Sequence, residues 1–202
     1  MYRVRPPYLL KKLYPRGVWR KDRKEKKIYL TFDDGPVPEV TPWVLDILKS
    51  YAIKGTFFCV GENVKQNKEL YQRILRENHA VGNHTYNHVD GWKTSLTDYL
   101  KNVEKCEQQL QSRLFRPPYG RIRKKQQKAL ESHYSIIMWD VLSGDYDHQT
   151  SPEKCLQNVM RNVRNGSIIV FHDSVKAKKN INYALPRFIE QAKVKGYLFE
   201  KL

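Results

Sequence analysis

The stretch KIYLTFDDGP, residues 27–36, runs an apolar segment into two carboxylates and a turn. Lys27 to Phe32 is β-branched and aromatic and reads as a strand apolar on both faces, as a parallel strand covered by helices is. Gly35 and Pro36 end it. Neighbouring side chains in a regular strand point to opposite faces, so Asp33 and Asp34 serve one cleft only if the strand stops near Phe32. Two adjacent carboxylates repel unless a cation or an arginine neutralises one, which directs attention to a metal and to Arg116.

The same pattern recurs downstream. Apolar runs at 55–60, 79–83, 114–116, 134–139, 167–171 and 197–202 read as further strands. Between them lie amphipathic helices over 41–51, 67–78, from Thr97 towards Leu114, 151–163 and 185–195, the last stopping at Gly196. Ser151-Pro152-Glu153 carries a capping serine with proline in the first turn. Repeated β-α units allow two architectures, a barrel or an open doubly wound sheet.

The chain has 202 residues, with 37 Lys and Arg against 21 Asp and Glu, a formal charge of +16. That length suits one domain, and 40% hydrophobic with 12% aromatic residues describes a folded globule rather than a disordered tail. The charge is concentrated: residues 1–27 hold eleven bases and two acids, a net +9, leaving +7 for the rest. The division expected is a basic extension over 1–25 and a catalytic domain over 26–202. No apolar run suits a signal peptide or approaches a membrane span. Cys59, Cys106 and Cys155 are odd in number and widely spaced, so they read as buried small hydrophobes rather than disulfides or a zinc knuckle.

Polar residues that fit no core pattern follow the apolar runs, at Asp33 to Pro36, Asn83 to His88, Arg116 to Gly120, Trp139 to Asp145 and His172-Asp173. In parallel β/α architectures the carboxyl ends of the strands meet at one mouth, so these five segments can share a cleft. His84 and His88, four apart, fall on one side of a helical turn, a spacing suited to one metal ion. With a carboxylate they make a His-His-Asp set that leaves coordination positions open, as a catalytic divalent site requires. His172 titrates in the range of a proton donor, and Asp145 is the carboxylate that would orient it. His79, His133 and His148 lack such company.

TFDDGP at 31–36, HTYNH at 84–88, RPPYG at 116–120, WDVLSGDY at 139–146 and IIVFHD at 168–173 together resemble the five ordered motifs of the polysaccharide deacetylases, carbohydrate esterase family 4. The resemblance runs from about Lys26 to the end. It implies an α/β fold, a distorted (β/α)7-8 barrel forming a single domain behind the basic N-terminal extension. By similarity Asp34, His84 and His88 bind a divalent metal, most commonly Zn2+, with Co2+ or Ni2+ as alternatives. Asp33 is then the general base for the attacking water, Arg116 its partner, the Tyr119 backbone N–H an oxyanion donor, and His172, tuned by Asp145, the acid for the leaving amine. Two positions depart from the pattern: Tyr146 stands where many relatives carry tryptophan, and Val170 where they carry leucine.

The expected activity is metal-dependent removal of N-acetyl groups from a hexosamine-containing polysaccharide or glycoconjugate. Two alternatives use the same residues: a catalytically silent barrel that binds a glycan or an anionic surface, and a deformylase or amidase acting on another C–N acyl bond. The partners expected are an N-acetylated glycan and, through the basic arm or the run Arg121, Arg123, Lys124, Lys125 and Lys128, an anionic membrane or polymer; nucleic acid is not expected. With no export signal read in the chain, the expected location is cytoplasmic or membrane-peripheral.

Overall fold

The computed structural model describes residues 3–202. Its strands are β1 (Lys27–Asp33), β2 (Thr56–Cys59), β3 (Ala80–Asn83), β4 (Leu114–Phe115), β5 (Ser135–Ile136), β6 (Val141–Leu142), β7 (Ile168–His172) and β8 (Leu198–Glu200). The helices are α1 (Tyr8–Leu13), α2 (Thr41–Ser50), α3 (Gly61–Gln66), α4 (Lys68–Arg76), α5 (Leu96–Glu107), α6 (Lys124–Leu130), α7 (Pro152–Asn162) and α8 (Lys178–Val194). The strands form one parallel sheet in the order β5-β4-β3-β2-β1-β7-β6, with β8 paired to the first half of β1. Curled and wrapped by helices, it is the distorted (β/α) barrel expected.

β1 sits at the centre because both of its faces are apolar up to the carboxylates. Ile28, Leu30 and Phe32 face the helical layer and pack with Val44, Leu45 and Leu48 of α2 and Phe188 and Ile189 of α8. The alternate residues face inward, where Tyr29 meets Phe58, Ile137 and Ile168. Period two thus carries Tyr29, Thr31 and Asp33 up the barrel interior towards the mouth. All three cysteines are buried and free, and burial pushes their thiols up.

The basic N-terminal segment runs along this barrel and fills the interval between the ends of the sheet. Val18 pairs in parallel with Ile137, and Arg20 pairs antiparallel with Ser167. The Leu142 N–H donates to the Val4 carbonyl at 2.8 Å, and the Met138 N–H to the Val18 carbonyl at 2.9 Å. Tyr14 and Trp19 are buried in a second core with Tyr99, Phe115, Ile136 and Met138. The Trp19 indole N–H donates to the Tyr14 carbonyl at 3.1 Å, and its ring lies 5.6 Å from that of Trp139. Part of the cationic excess is structural here: Lys11 lies 3.5 Å from buried Asp140, and the Arg20 guanidinium donates to the Asn165 carbonyl at 2.6 Å.

Several elements differ from the sequence pattern. Within the run at 134–139 only Ser135–Ile136 forms a named strand, β5, with Ile137 adding the single bridge to Val18, and β6 follows at Val141. The basic run after Arg121 contains a helix, α6, whose buried residues are Gln126, Gln127 and Leu130. The last helix begins at Lys178 and passes through Pro186, since Ile181, Ala184, Leu185, Phe188 and Ile189 keep one stripe buried across it. Tertiary burial overrides the local signal there.

Trp19→Ala, which empties a buried aromatic site at the seam, is expected to cost about 3–5 kcal/mol. Urea unfolding followed by far-UV circular dichroism measures it; a cost near zero would mean that the N-terminal segment does not hold the barrel closed.

Candidate active site

The mouth of the barrel is a cleft of about 660 Å³ whose lining includes Asp33, Asp34, His84, His88, Arg116, Tyr119 and His172. A larger hollow of about 930 Å³ between α5 and α6 contains none of them.

Asp33 is the last residue of β1 and keeps the inward direction of the strand. Arg116, at the end of β4, is 2% exposed and crosses the interior to meet it. Nη1 donates to Asp33 Oδ1 at 2.6 Å and to Thr31 Oγ1 at 2.8 Å, while Nη2 and Nε donate to the Met138 and Ile137 carbonyls at 3.0 and 3.3 Å. The guanidinium also lies over the Phe58 ring at 4.0 Å. Burial lowers the arginine pKa, and Asp33 opposes that shift.

Asp34 turns back into the same cleft because its backbone is left-handed, φ 84°. The residue's own geometry, not an early strand end, therefore brings both aspartates to one side. Asn63 Nδ2 holds the Asp34 carbonyl at 2.7 Å. Gly35 is required next to it: a Cβ there would fall 1.9 Å from Asp173 Oδ2. Asp173 accepts from the Gly35 N–H at 3.0 Å and the Thr41 hydroxyl at 2.6 Å, and burial pushes its carboxyl up to about 8.

His84 and His88 do converge on Asp34, but not from a helix. The segment turns through left-handed residues at Thr85, φ 63°, and His88, φ 53°. His84 Nε2 and His88 Nε2 lie 3.9 and 3.1 Å from Asp34 Oδ1, and one donor atom from each of the three residues lies within 4.8 Å of the others. The second ring nitrogens are engaged behind: His84 Nδ1–H donates to the Arg116 carbonyl at 2.7 Å, and His88 Nδ1 lies 3.2 Å from the Tyr119 hydroxyl. Such partners fix the ring and aim Nε2 at a shared point, as ligating histidines require. Burial holds His84 down to about 4, so it presents a neutral imidazole. Burial pushes the Asp34 carboxyl up, but the His88 hydrogen bond and the surrounding imidazoles bring it well below the usual carboxylate range. Two imidazoles and one carboxylate with open positions fit a divalent metal ion.

His172 ends β7, the strand beside β1, in register with Asp33. Asp145 grips it twice, accepting the His172 backbone N–H at 2.7 Å and Nδ1–H at 2.8 Å. Burial alone pushes the imidazole down; the Asp145 charge and hydrogen bond reverse this and raise it to about 9. Tyr146 lies edge-on to His172 at 4.8 Å, and Val170 lines the floor. Tyr119 is left-handed, φ 59°, and Gly120 beside it leaves room for Trp139, whose ring would lie 2.3 Å from a Cβ there.

Every residue singled out from the motifs thus reaches the cleft, with Asp145 behind His172. The sequence reading did not single out Thr31, Asn63 or the role of Asp173. Thr31 was findable, since it stands two residues before Asp33 on the same strand face. Asn63 had no local signal, because it reaches the Asp34 loop from α3.

A family model described as polysaccharide deacetylase matches residues 20–134. The chain is 35% identical over 202 residues to a peptidoglycan-N-acetylglucosamine deacetylase of Bacillus cereus, covering 95% of this chain and 94% of the relative. A crystal structure of a peptidoglycan N-acetylglucosamine deacetylase superimposes with a TM-score of 0.88 at 31% identity, covering 98% of this chain and 95% of that one. A family pseudoenzyme from Bacillus anthracis also superimposes, with a TM-score of 0.80 at 30% identity and coverage of 98% and 71%.

Proposed function

The chain belongs to the polysaccharide deacetylase family, and on that footing we propose that it hydrolyses the N-acetyl group of hexosamine residues in a glycan, with peptidoglycan N-acetylglucosamine the first substrate to test. One observation carries this reading: the cleft sets a carboxylate held by Arg116 and an imidazole held by Asp145 around the Asp34, His84 and His88 donor set.

Asp34, His84 and His88 would hold the metal. Zinc is the ion proposed for this mixed imidazole and carboxylate set, with cobalt and nickel able to occupy the same donors. When bound, a divalent ion supplies Lewis acidity, polarising the acyl oxygen and making water a better nucleophile.

The protein's own groups move the protons. Asp33 takes one from the attacking water as its oxygen bonds to the acyl carbon, and Arg116 keeps that carboxylate aimed. The Tyr119 backbone N–H faces the developing oxyanion; such a donor stabilises a transition state by about 2.7–4 kcal/mol. His172 delivers its proton to the amide nitrogen as the C–N bond breaks, which an amine leaving group needs. Acetate and a free amino sugar result. Tyr146 and Val170 bound the space for the acyl methyl.

For the basic N-terminal segment we propose contact with an anionic membrane surface, which would make the protein membrane-peripheral. Among the described residues no helix is long and apolar enough to cross a membrane. α1 instead leaves Tyr8 73% and Leu9 68% exposed, and Leu13 exposed beside them, among Lys12, Arg16 and other cations. An apolar face ringed by bases suits an anionic interface.

Metal-loaded protein is expected to release acetate from N-acetylglucosamine oligomers or peptidoglycan fragments, and Asp33→Asn to lower kcat about 10²- to 10⁴-fold. Because His172 must carry its proton, activity should fall as pH rises through about 9, and Asp145→Asn should move that limb to lower pH. No acetate from any such substrate with metal bound would favour the silent barrel. Co-sedimentation with anionic vesicles should weaken with added salt; equal binding to neutral vesicles would contradict the surface role.

A further inference from the structure

Trp92 is 49% exposed in the loop that follows His88, and nothing in the core requires it there. Its backbone is nevertheless fixed on both sides. The Trp92 N–H donates to Asp90 Oδ1 at 2.9 Å, and its carbonyl accepts from the Arg123 guanidinium. The loop is stitched to the one after β4: Arg121 Nη1 donates to Asp90 Oδ2 at 2.6 Å, and Gln126 Nε2 to the Gly91 carbonyl at 2.9 Å. The two backbones approach so closely that a Cβ on Gly91 would lie 2.4 Å from the Arg121 carbonyl oxygen.

This construction sets Trp92 at the outer end of a run of contacts that starts at the donor set. From His88 the ring of Tyr119, itself 61% exposed, lies at 4.7 Å; the Arg121 guanidinium lies 5.8 Å from Tyr119 and 5.1 Å from Trp92. Tyr119 and Arg121 both line the cleft, so the ledge continues its wall outward. A planar guanidinium between two rings keeps them in register by cation–π attraction. Hexose rings present an apolar C–H face, and an indole offers that face a matching negative surface together with burial from water.

We propose that Trp92, held by Arg121 and through it linked to Tyr119, is a specificity-determining contact for a pyranose residue beyond the one whose acyl group is removed. This rests on the hydrolytic reading of the cleft. Arg121 is a positioning residue here, since its charge is already paired with Asp90.

The test compares kcat/KM on the N-acetylglucosamine dimer and hexamer for wild type, Trp92→Ala and Trp92→Phe, with hexamer binding measured by calorimetry. The hexamer-to-dimer ratio should fall about three- to tenfold in Trp92→Ala, the scale of one aromatic contact, and recover largely in Trp92→Phe. A ratio equal to that of wild type would overturn the proposal. Should wild type turn over neither substrate, the hydrolytic reading fails, and binding decides the subsite: weaker hexamer binding by Trp92→Ala supports it, and equal binding overturns it.

Discussion

The buried pair between Arg116 and Asp33 is the constraint around which the barrel is arranged. A guanidinium with almost no access to water is tolerable only if its donors and its charge are met, and here they are met from three directions: Asp33 and Thr31 on β1, the Ile137 and Met138 carbonyls beyond β5, and the face of Phe58 on β2. The pair thus fastens distant parts of the sheet across its interior. Stranding one partner of such a pair costs about 3–5 kcal/mol. The same contacts leave Asp33 at the floor of the cleft, aimed and unable to swing. Structure and proposed chemistry therefore draw on one interaction.

The rest of the site is assembled by similar second contacts. The Arg116 backbone carbonyl orients His84, the Tyr119 hydroxyl meets His88, Asp145 grips His172 through both ring and backbone, and Asp173 with Asn63 fixes the loop at Asp34 and Gly35. Each chemical group is held from behind by a residue on a different element. Such support is what keeps a constellation within the tolerance that catalysis demands.

Much of this was legible in the sequence, for a physical reason. Parallel strands buried on both faces read as apolar runs, and polar residues placed just after them can lie only at the mouth. What the sequence hid was settled by tertiary contact. His84 and His88 have the spacing of a helix but meet through left-handed turns at Thr85 and His88, which no four-residue period distinguishes. The closure of the sheet by Val18 and Arg20 rests on single-residue pairings, too short to leave a period. The charge of the first 27 residues marked a basic extension without saying how it sits: Lys11 and Arg20 are tied to the barrel while Tyr8 and Leu9 face outward. Trp92 had no motif to mark it, and only its place beside Arg121 and Tyr119 gives it meaning.

The account turns on the Asp34, His84 and His88 set holding a single divalent ion in reach of Asp33 and His172. Calorimetric titration of zinc into metal-stripped protein tests that most directly. Wild type should take up one ion per chain, as expected of the single donor set found among the described residues, and His84→Ala and Asp34→Ala should lose that binding. A wild-type protein that binds no zinc, cobalt or nickel, or a His84→Ala variant that binds as tightly as wild type, would contradict it.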